Sequence, residues 1–368
     1  MRLRSILLRY TLILFALALT LWALVMAEPI LVPLMVALLL ALLLLPLCRK
    51  LEVIGLPRWL TALLSILIVI AVVGLLGFFL ATQFAVVSDD LPSLMEELES
   101  AADRAESWMR RRFGVPGPDG AAAVSRAVQN ALSAGSDLLS SVWSATTDAV
   151  AFLVLTPLSL FFFLYYRSFL RSFLFRAFPA RAHRTVARVI ERVQSVGVRY
   201  LSGLFMVMGI LMMLNTAGLL IFGVRYAVFW GVLSSLLTII PFFGVILGAL
   251  FPILFTLLTK DSLLITFGVA AWYTAVQQVE GDLITPNVVG GQVSINPFAA
   301  ILALVIGGEL WGAAGLVLAI PYLAILKVVL DEVESLAPYG YLLGNPRAGG
   351  RGRWLRPPLE WLRRRLGR

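Results

Sequence analysis

The chain has 368 residues, of which 60% are hydrophobic and only 14% are charged, whereas an average soluble domain has about 45–50% and about 25%. This composition excludes a soluble globular protein and places the chain among proteins that cross a membrane several times. The net charge of +9 is concentrated between the apolar runs, so we interpret it as the mark of one membrane face and expect no nucleic-acid partner.

The first apolar run extends from Tyr10 to Ala27 and follows three arginines. At about 1.5 Å per residue it nearly crosses the hydrocarbon layer of about 30 Å. A cleaved signal peptide is the alternative, but the run is long for the apolar part of such a peptide and a second run follows at once. The further apolar runs are residues 30–48, 59–87, 149–166, 201–222, 226–258, 262–279 and 297–330.

Backbone polar groups in lipid are satisfied within a helix, so none of these runs requires a strand. We therefore predict an all-α polytopic membrane protein with six to eight transmembrane helices. Residues 1–87 are predicted to form the first three of these helices.

The charge between the runs sets the predicted orientation, because lysine and arginine accumulate in short cytoplasmic loops. Segment 88–147 has nine acidic residues against five arginines and is predicted to be an external domain of amphipathic helices. Residues 148–200 are predicted to contain the fourth transmembrane helix and a basic cytoplasmic helix. The tail, residues 336–368, has eight arginines and one acid. Both termini are therefore expected in the cytoplasm, with anionic lipids as partners of the basic face.

A transport core is predicted at 201–335, where two runs are too long for one crossing. Residues 226–258 would extend about 50 Å as one straight helix, and residues 297–330 are equally long. Prolines and glycines interrupt both, so we predict two re-entrant helical hairpins, each after an ordinary crossing, in an inverted repeat. Eight tilted and kinked spans are the alternative. The predicted break and hinge residues are Pro241, Gly244, Pro286, Gly290, Pro297, Gly308 and Gly312.

A polar stretch at 277–297 precedes the last apolar run. Carboxylates near hydrocarbon are costly unless they are protonated, paired or directed into a water-filled cavity, so they are candidates for function. The alternative is that they are loop acids at the interface or, for Glu309, a cap of the hairpin tip. Asn215 is interpreted as an interhelical hydrogen-bonding residue. The candidates for solute binding, ion binding or coupling are Gln277, Glu280, Asp282, Asn287 and Glu309.

A set of prolines, glycines and one glutamate follows a defined order through the C-terminal half. It includes Pro241, Gly244, Glu280, Pro286, Gly290, Pro297, Gly307, Gly308, Gly312, Gly315 and Pro321. In this order and spacing the set resembles the AI-2E family of bacterial transporters. The resemblance implies a plasma-membrane transporter; some members are linked to export of the autoinducer-2 signal and others to Na⁺(Li⁺)/H⁺ antiport. It also implies a homo-oligomer, a pentamer.

The sequence therefore predicts a membrane secondary transporter that moves a small polar solute or cation, by export at the expense of an ion or proton gradient. The family resemblance implies a solute of the autoinducer-2 type. Na⁺(Li⁺)/H⁺ antiport is the first alternative and a passive oligomeric pore the second, although no filter motif is legible. We expect no enzyme, since no nucleophile elbow, HExxH or P-loop motif is present. A single cysteine, Cys48, and a single histidine, His183, predict neither a metal centre nor a cofactor.

The predicted topology can be checked with cysteines introduced by Ser136→Cys and Ser172→Cys in a Cys48→Ala background. An impermeant maleimide added to intact cells should label the first, and it should label the second only after permeabilisation. The reason is that the acidic and the basic loops are expected on opposite faces. Labelling of both positions from one side would contradict a first half with four crossings.

Overall fold

A computed structural model describes residues 2–89, 146–260, 262–288 and 295–345. Helices make up nearly all of these residues, and an isolated bridge between Ile295 and Gly344 is the β-type pairing found within them. The predicted all-α fold is therefore confirmed. Most of the predicted external domain 88–147, the break residue Gly290 and the tail after residue 345 lie outside the described residues.

The helices of the described part are α1 Arg2–Met26, α2 Glu28–Val53, α3 Arg58–Asp89, α4 Thr146–Tyr165, α5 Arg167–Ala177, α6 His183–Ile221, α7 Ala227–Leu237, α8 Phe243–Thr259, α9 Leu263–Val279, α10 Thr285–Val288, α11 Pro297–Glu332 and α12 Ala337–Leu343. By length and composition alone, four helices of this part could cross a membrane: α2, α3, α6 and α11, the last of which is folded back on itself as described below. The bent pair α4 and α5 makes a fifth span if counted as one. The described residues therefore contain four or five candidate spans. The prediction of six to eight transmembrane helices also counted runs that the structure divides into shorter apolar helices, such as α7 and α8.

The first overlong run, 226–258, folds into two helices that pack against each other in opposite directions. The Trp230 ring near the start of α7 lies 5.2 Å from the Phe255 ring near the end of α8. Between these ends, Gly248 comes so close to α7 that a Cβ atom on it would lie 2.8 Å from the Ser234 carbonyl oxygen. The run therefore turns back as a helical hairpin, and its re-entry into a membrane stays a prediction.

The turn between α7 and α8 contains two of the predicted break residues. Pro241 has no N–H with which to continue a helix, and its carbonyl accepts a hydrogen bond from the Phe243 N–H at 2.8 Å. Phe242 has a φ of 65°, a conformation that costs a residue with a side chain about 1–3 kcal/mol. At Gly244 a Cβ atom would lie 1.7 Å from the Leu237 carbonyl oxygen, so this tight turn requires glycine there.

The second overlong run forms α11, whose helical path is interrupted at Trp311 and Gly312. Gly312 has a φ of 54° and a ψ of −132°, which glycine adopts without a side-chain clash. The chain reverses there, because Gly307 and Gly315 touch: a Cβ atom on Gly315 would lie 1.8 Å from the Gly307 carbonyl oxygen. In a straight helix the same two residues would be about 12 Å apart. This run is therefore also a helical hairpin.

Both ends of α11 meet at one end of the molecule. The side-chain amide of Asn296, directly before α11, donates to the Leu342 carbonyl in α12 at 2.6 Å. Glu332, the last residue of α11, forms ion pairs with Arg188 at 3.2 Å and with Arg192 at 2.7 Å. These arginines belong to the first turns of α6, so the base of the second hairpin lies at the arginine-rich end of the helices.

The two hairpins start from opposite ends of α6. The base of the first packs beside Leu219, near the end of α6, together with Val87 from the end of α3. The base of the second packs beside Val196, in the first half of α6. About 35 Å of helix separates these two positions. The bases of the two hairpins thus lie toward opposite ends of α6. The inverted repeat of the two halves stays a prediction.

A separate core is formed by α2, α3 and α4. Its buried members include Ala37, Ala41, Leu44, Cys48, Ala62, Ile66, Leu160 and Leu164. Glu52 at the end of α2 forms an ion pair with Arg167 at the start of α5. The Tyr322 hydroxyl in the second hairpin donates to the Met35 carbonyl in α2 at 2.7 Å. This hydrogen bond attaches the second hairpin to the N-terminal helices.

The contact between the arms of the second hairpin predicts the effect of Gly315→Ala. A methyl group there would overlap the Gly307 carbonyl oxygen, so the arms must separate, and we expect a loss of about 1–3 kcal/mol of stability. Gly209→Ala in α6 is the control, because no atom lies within 4 Å of its Cβ position. That change should be neutral or stabilising by up to about 1 kcal/mol. Thermal unfolding in detergent measures both; equal melting temperatures would contradict the hairpin contact.

Candidate functional site

A cavity with polar walls lies between α6, α7, α8 and α9. It is small, with a volume of about 10 Å³ that gives room for about one water molecule. It opens to the surface and is lined by Leu211, Asn215, Ser234, Thr238, Val245, Ala249, Tyr273, Val276 and Gln277. The side chains that line it are uncharged. Polar side chains alternate with aliphatic ones along its walls.

Asn215 is the centre of the polar side of this cavity. It is buried in α6, and its Nδ2 donates to the hydroxyls of Ser234 at 3.4 Å and Ser235 at 3.2 Å in α7. The predicted interhelical hydrogen bond of Asn215 is therefore confirmed. Its Oδ1 is also buried and accepts no hydrogen bond from the residues that the structure describes. A buried amide oxygen without a donor costs about 1–3 kcal/mol, so this atom can accept a hydrogen bond from a solute or contact a cation.

The second polar wall comes from α9. The hydroxyl of Tyr273 donates to the Ser234 hydroxyl at 3.2 Å. This helix can approach α6 closely because Gly218 has no side chain: a Cβ atom there would lie 2.0 Å from Nε1 of Trp272. Trp272 donates from that nitrogen to the Leu214 carbonyl at 3.1 Å. The glycine and the indole thus hold α9 in the position where Tyr273 reaches the cavity.

Glu280 lies beside the cavity, at the point where α9 ends. It begins a π-helical turn, Glu280–Ile284, and such turns are frequent at functional sites. Gln277, which lines the cavity, donates from Nε2 to Glu280 Oε2 at 2.8 Å. Thr285 donates a hydrogen bond to the other carboxylate oxygen. The half-buried carboxylate is therefore connected to the cavity through one amide side chain.

The structure places the other predicted site residues elsewhere. Asp282 and Asn287 are exposed, and the amide of Asn287 donates to the Leu283 carbonyl at 2.7 Å. Glu309 is exposed on the first arm of the second hairpin. Of the five predicted residues, Glu280 and Gln277 are therefore brought together at the cavity.

The predicted break residues occupy three kinds of position. Pro241, Gly244 and Gly312 belong to the hairpin turns. Pro286 lies in the short helix α10, and Pro297 is the first residue of α11. Gly308 lies inside α11, where its Cβ position is 3.2 Å from the Leu316 side chain of the opposite arm.

Sequence reasoning missed the hydroxyl groups of the cavity. Ser234, Ser235 and Thr238 lie within an apolar run, and Tyr273 within another. The adjacent serines, with a threonine one turn later, were a usable signal, because small polar residues in apolar helices often bond across helix interfaces. Tyr273 gave no such signal, since a tyrosine is ordinary in a transmembrane segment.

The cavity and the carboxylate differ in what they can do chemically. The cavity offers hydroxyl and amide groups that can hydrogen-bond a group about the size of a water molecule. Its free amide oxygen can also contact a cation. Glu280 adds a carboxylate, a group that the lining of the cavity lacks. Among the described residues no cluster of three or more His, Cys, Asp or Glu could hold a metal ion.

Comparisons with known proteins agree on one family. A family model described as AI-2E family transporter matches residues 12–335. A putative transport protein of Mycobacterium tuberculosis is 32% identical over 352 residues, which cover 92% of this chain and 90% of that protein. A putative transport protein of Haemophilus influenzae is 31% identical over 167 residues, 45% of this chain and 46% of that protein. The AI-2 transport protein TqsA of Escherichia coli is 29% identical over 125 residues, 33% of this chain and 35% of that protein.

The unpartnered oxygen of Asn215 predicts the effect of Asn215→Leu on stability. The serines also donate to the Gly231 carbonyl at 3.2 and 2.8 Å, so they remain bonded when Asn215 is replaced by an apolar side chain of similar shape. We expect unchanged stability or a gain of up to about 2 kcal/mol, with loss of solute binding. Thermal unfolding measures the first effect and ligand-induced stabilisation the second.

Leu219→Ala, one turn away on α6, is the control for that experiment. Leu219 is fully buried, and its truncation should cost about 2–5 kcal/mol. If Asn215→Leu destabilised the protein as much as Leu219→Ala, Asn215 would be a structural residue rather than part of a binding site.

Proposed function

Because the chain belongs to the AI-2E family of membrane transporters, we propose that it is a secondary transporter that exports a small polar solute. We place it in the bacterial plasma membrane as a homo-oligomer, with both termini in the cytoplasm. The observation that supports this function is the cavity of uncharged polar groups among apolar helices, connected to a carboxylate by a single glutamine.

The solute that we propose is uncharged and rich in hydroxyl groups. No charged side chain lines the cavity in the described part of the chain, whereas hydroxyl and amide groups do. Such groups exchange hydrogen bonds with a hydroxylated solute and offer no ion pair to a charged one. A relative from Escherichia coli is named an AI-2 transport protein, and an autoinducer-2-like solute is therefore the first to test.

Glu280 is the proposed coupling residue. In the ionised state its Oε2 accepts a hydrogen bond from Gln277 Nε2. A protonated carboxyl can instead donate, and the Gln277 amide must then turn over to present its oxygen. After this rotation the Gln277 amide presents its NH₂ group, a donor, to the cavity in place of its oxygen, an acceptor. Protonation of one carboxylate can thus alter the affinity of the cavity for a solute, which is the requirement for coupling.

Exchange of Na⁺ or Li⁺ for protons is the second candidate. The free Oδ1 of Asn215, with the hydroxyls of Ser234 and Tyr273 nearby, gives several oxygen atoms in one place. Oxygen ligands of this kind suit a hard cation. In this case the cation itself would occupy the cavity, and Glu280 would carry the counter-transported proton.

Glu280→Gln tests the coupling. The variant keeps the side-chain shape and, like the protonated carboxyl, has one acceptor oxygen and one donor group, but it can no longer exchange a proton. In proteoliposomes with an imposed proton or sodium gradient, we expect gradient-driven accumulation of the solute to fall about tenfold or more, equivalent to about 1.4 kcal/mol of coupling. Downhill movement should persist. Autoinducer-2, Na⁺ and Li⁺ are assayed in parallel to separate the two candidates.

Asp282→Asn is the matched control, because Asp282 is an exposed carboxylate in the same π-helical turn. It should retain the gradient dependence of the unmodified protein. If Glu280→Gln also retained it, Glu280 would be structural and the proposed coupling wrong. Solute movement by the unmodified protein that follows neither gradient would indicate a passive pore.

A further inference from the structure

Helix α5 leaves the helix bundle at a sharp angle. It begins directly after α4 and is bent by 69° from it. Helix α4 has 20 residues, about 30 Å, which matches the hydrocarbon thickness. It ends in an aromatic group, Tyr165 and Tyr166, whose rings lie 4.8 Å apart, and such residues are enriched at the membrane–water interface. A helix that turns by 69° at this level runs close to the membrane plane.

The side chains of α5 divide into two faces. At about 100° per residue, four large apolar side chains fall within about 140° of the helix circumference. All four are exposed, between 37% and 67% of their surface. They are Phe169, Leu170, Phe173 and Leu174.

The opposite face of α5 is the one that contacts the protein. Arg58 of α3 donates to the Ser168 hydroxyl at 3.0 Å, and the Phe175 ring lies 5.5 Å from the His183 ring at the start of α6. Because these contacts fix the rotation of the helix, its apolar face points away from the bundle.

The charge of α5 is wholly positive. The helix has three arginines and no acidic residue. Arg167 is paired with Glu52, whereas Arg171 and Arg176 are exposed. Not every arginine on this side is available to lipid in this way, since Arg188 and Arg192 are both paired with Glu332.

We propose that α5 lies in the headgroup layer of the membrane. Its four apolar side chains insert between the lipid acyl chains, and Arg171 and Arg176 bind the headgroups of acidic phospholipids. An amphipathic helix with a basic polar face binds in this way, with its apolar face about 5–10 Å into the boundary between headgroups and acyl chains. A bilayer suits this face better than a second protein does, because α5 starts at the end of a membrane-length helix and its charged residues are all arginines. The proposal does not depend on which solute is transported.

The position of the apolar face can be measured with a pair of neighbouring cysteines. Phe173→Cys and Ser172→Cys, each in a Cys48→Ala background, are labelled with an environment-sensitive fluorophore, and the full chain is reconstituted into vesicles. The label at 173 should show blue-shifted emission and several-fold stronger quenching by brominated lipids than the label at 172. Both positions are exposed, so the core is not altered; Phe169→Cys replaces Phe173→Cys if that variant fails to fold.

Acidic lipid is tested by comparing vesicles of phosphatidylcholine with and without phosphatidylglycerol. The quenching at 173 should increase with phosphatidylglycerol, and the double variant Arg171→Gln/Arg176→Gln should abolish that increase. Equal, weak quenching at 172 and 173 would overturn the proposal. So would blue-shifted emission at 173 without quenching by brominated lipid, since a second copy of the chain would then cover the face. An increase that survives the double variant would overturn the role of the two arginines.

Discussion

Close contact between helix backbones at glycine residues is the interaction on which the C-terminal half depends. Lipid tails are as apolar as leucine, so helices in a membrane associate through van der Waals contacts and interhelical hydrogen bonds rather than through the hydrophobic effect. In the second hairpin Gly307 and Gly315 bring the two arms together, and in the first Gly248 does so. At each position a side chain would overlap a carbonyl oxygen of the opposite arm. An overlong apolar run can therefore fold back on itself only where glycine allows the backbones to touch.

The same kind of contact creates the polar cavity. At Gly231 a Cβ atom would lie 2.7 Å from the backbone of Thr216, so α7 lies directly against α6. This contact brings the serines of α7 within reach of Asn215. On the other side, Gly218 admits the indole of Trp272 and so brings in α9. The polar groups meet because the helices that carry them are joined at neighbouring glycines.

The sequence predicts the local features of this arrangement better than the site. Pro241 and Gly312 mark the turns because proline and glycine act on their own backbone, and the family resemblance based on such residues is confirmed. The cavity could not be predicted in this way. Asn215 and Tyr273 come from different helices, and their meeting depends on which helix faces pack together, which no local pattern specifies. Glu280 was a candidate from the sequence because a carboxylate beside apolar runs is conspicuous wherever its helix packs, and its role stays a prediction.

The two hairpins differ in their surroundings, and this difference separates two of the three candidate carboxylates, Glu280 and Glu309. The second hairpin is attached to the N-terminal helices: Trp311 donates to the Leu24 carbonyl at 3.0 Å, and Glu332 holds its base to α6 through two arginines. Glu309, on its first arm, is exposed. The first hairpin instead contributes serine and threonine to a polar cavity. The coupling that we propose requires a carboxylate joined to that cavity, and Glu280 has that connection through Gln277.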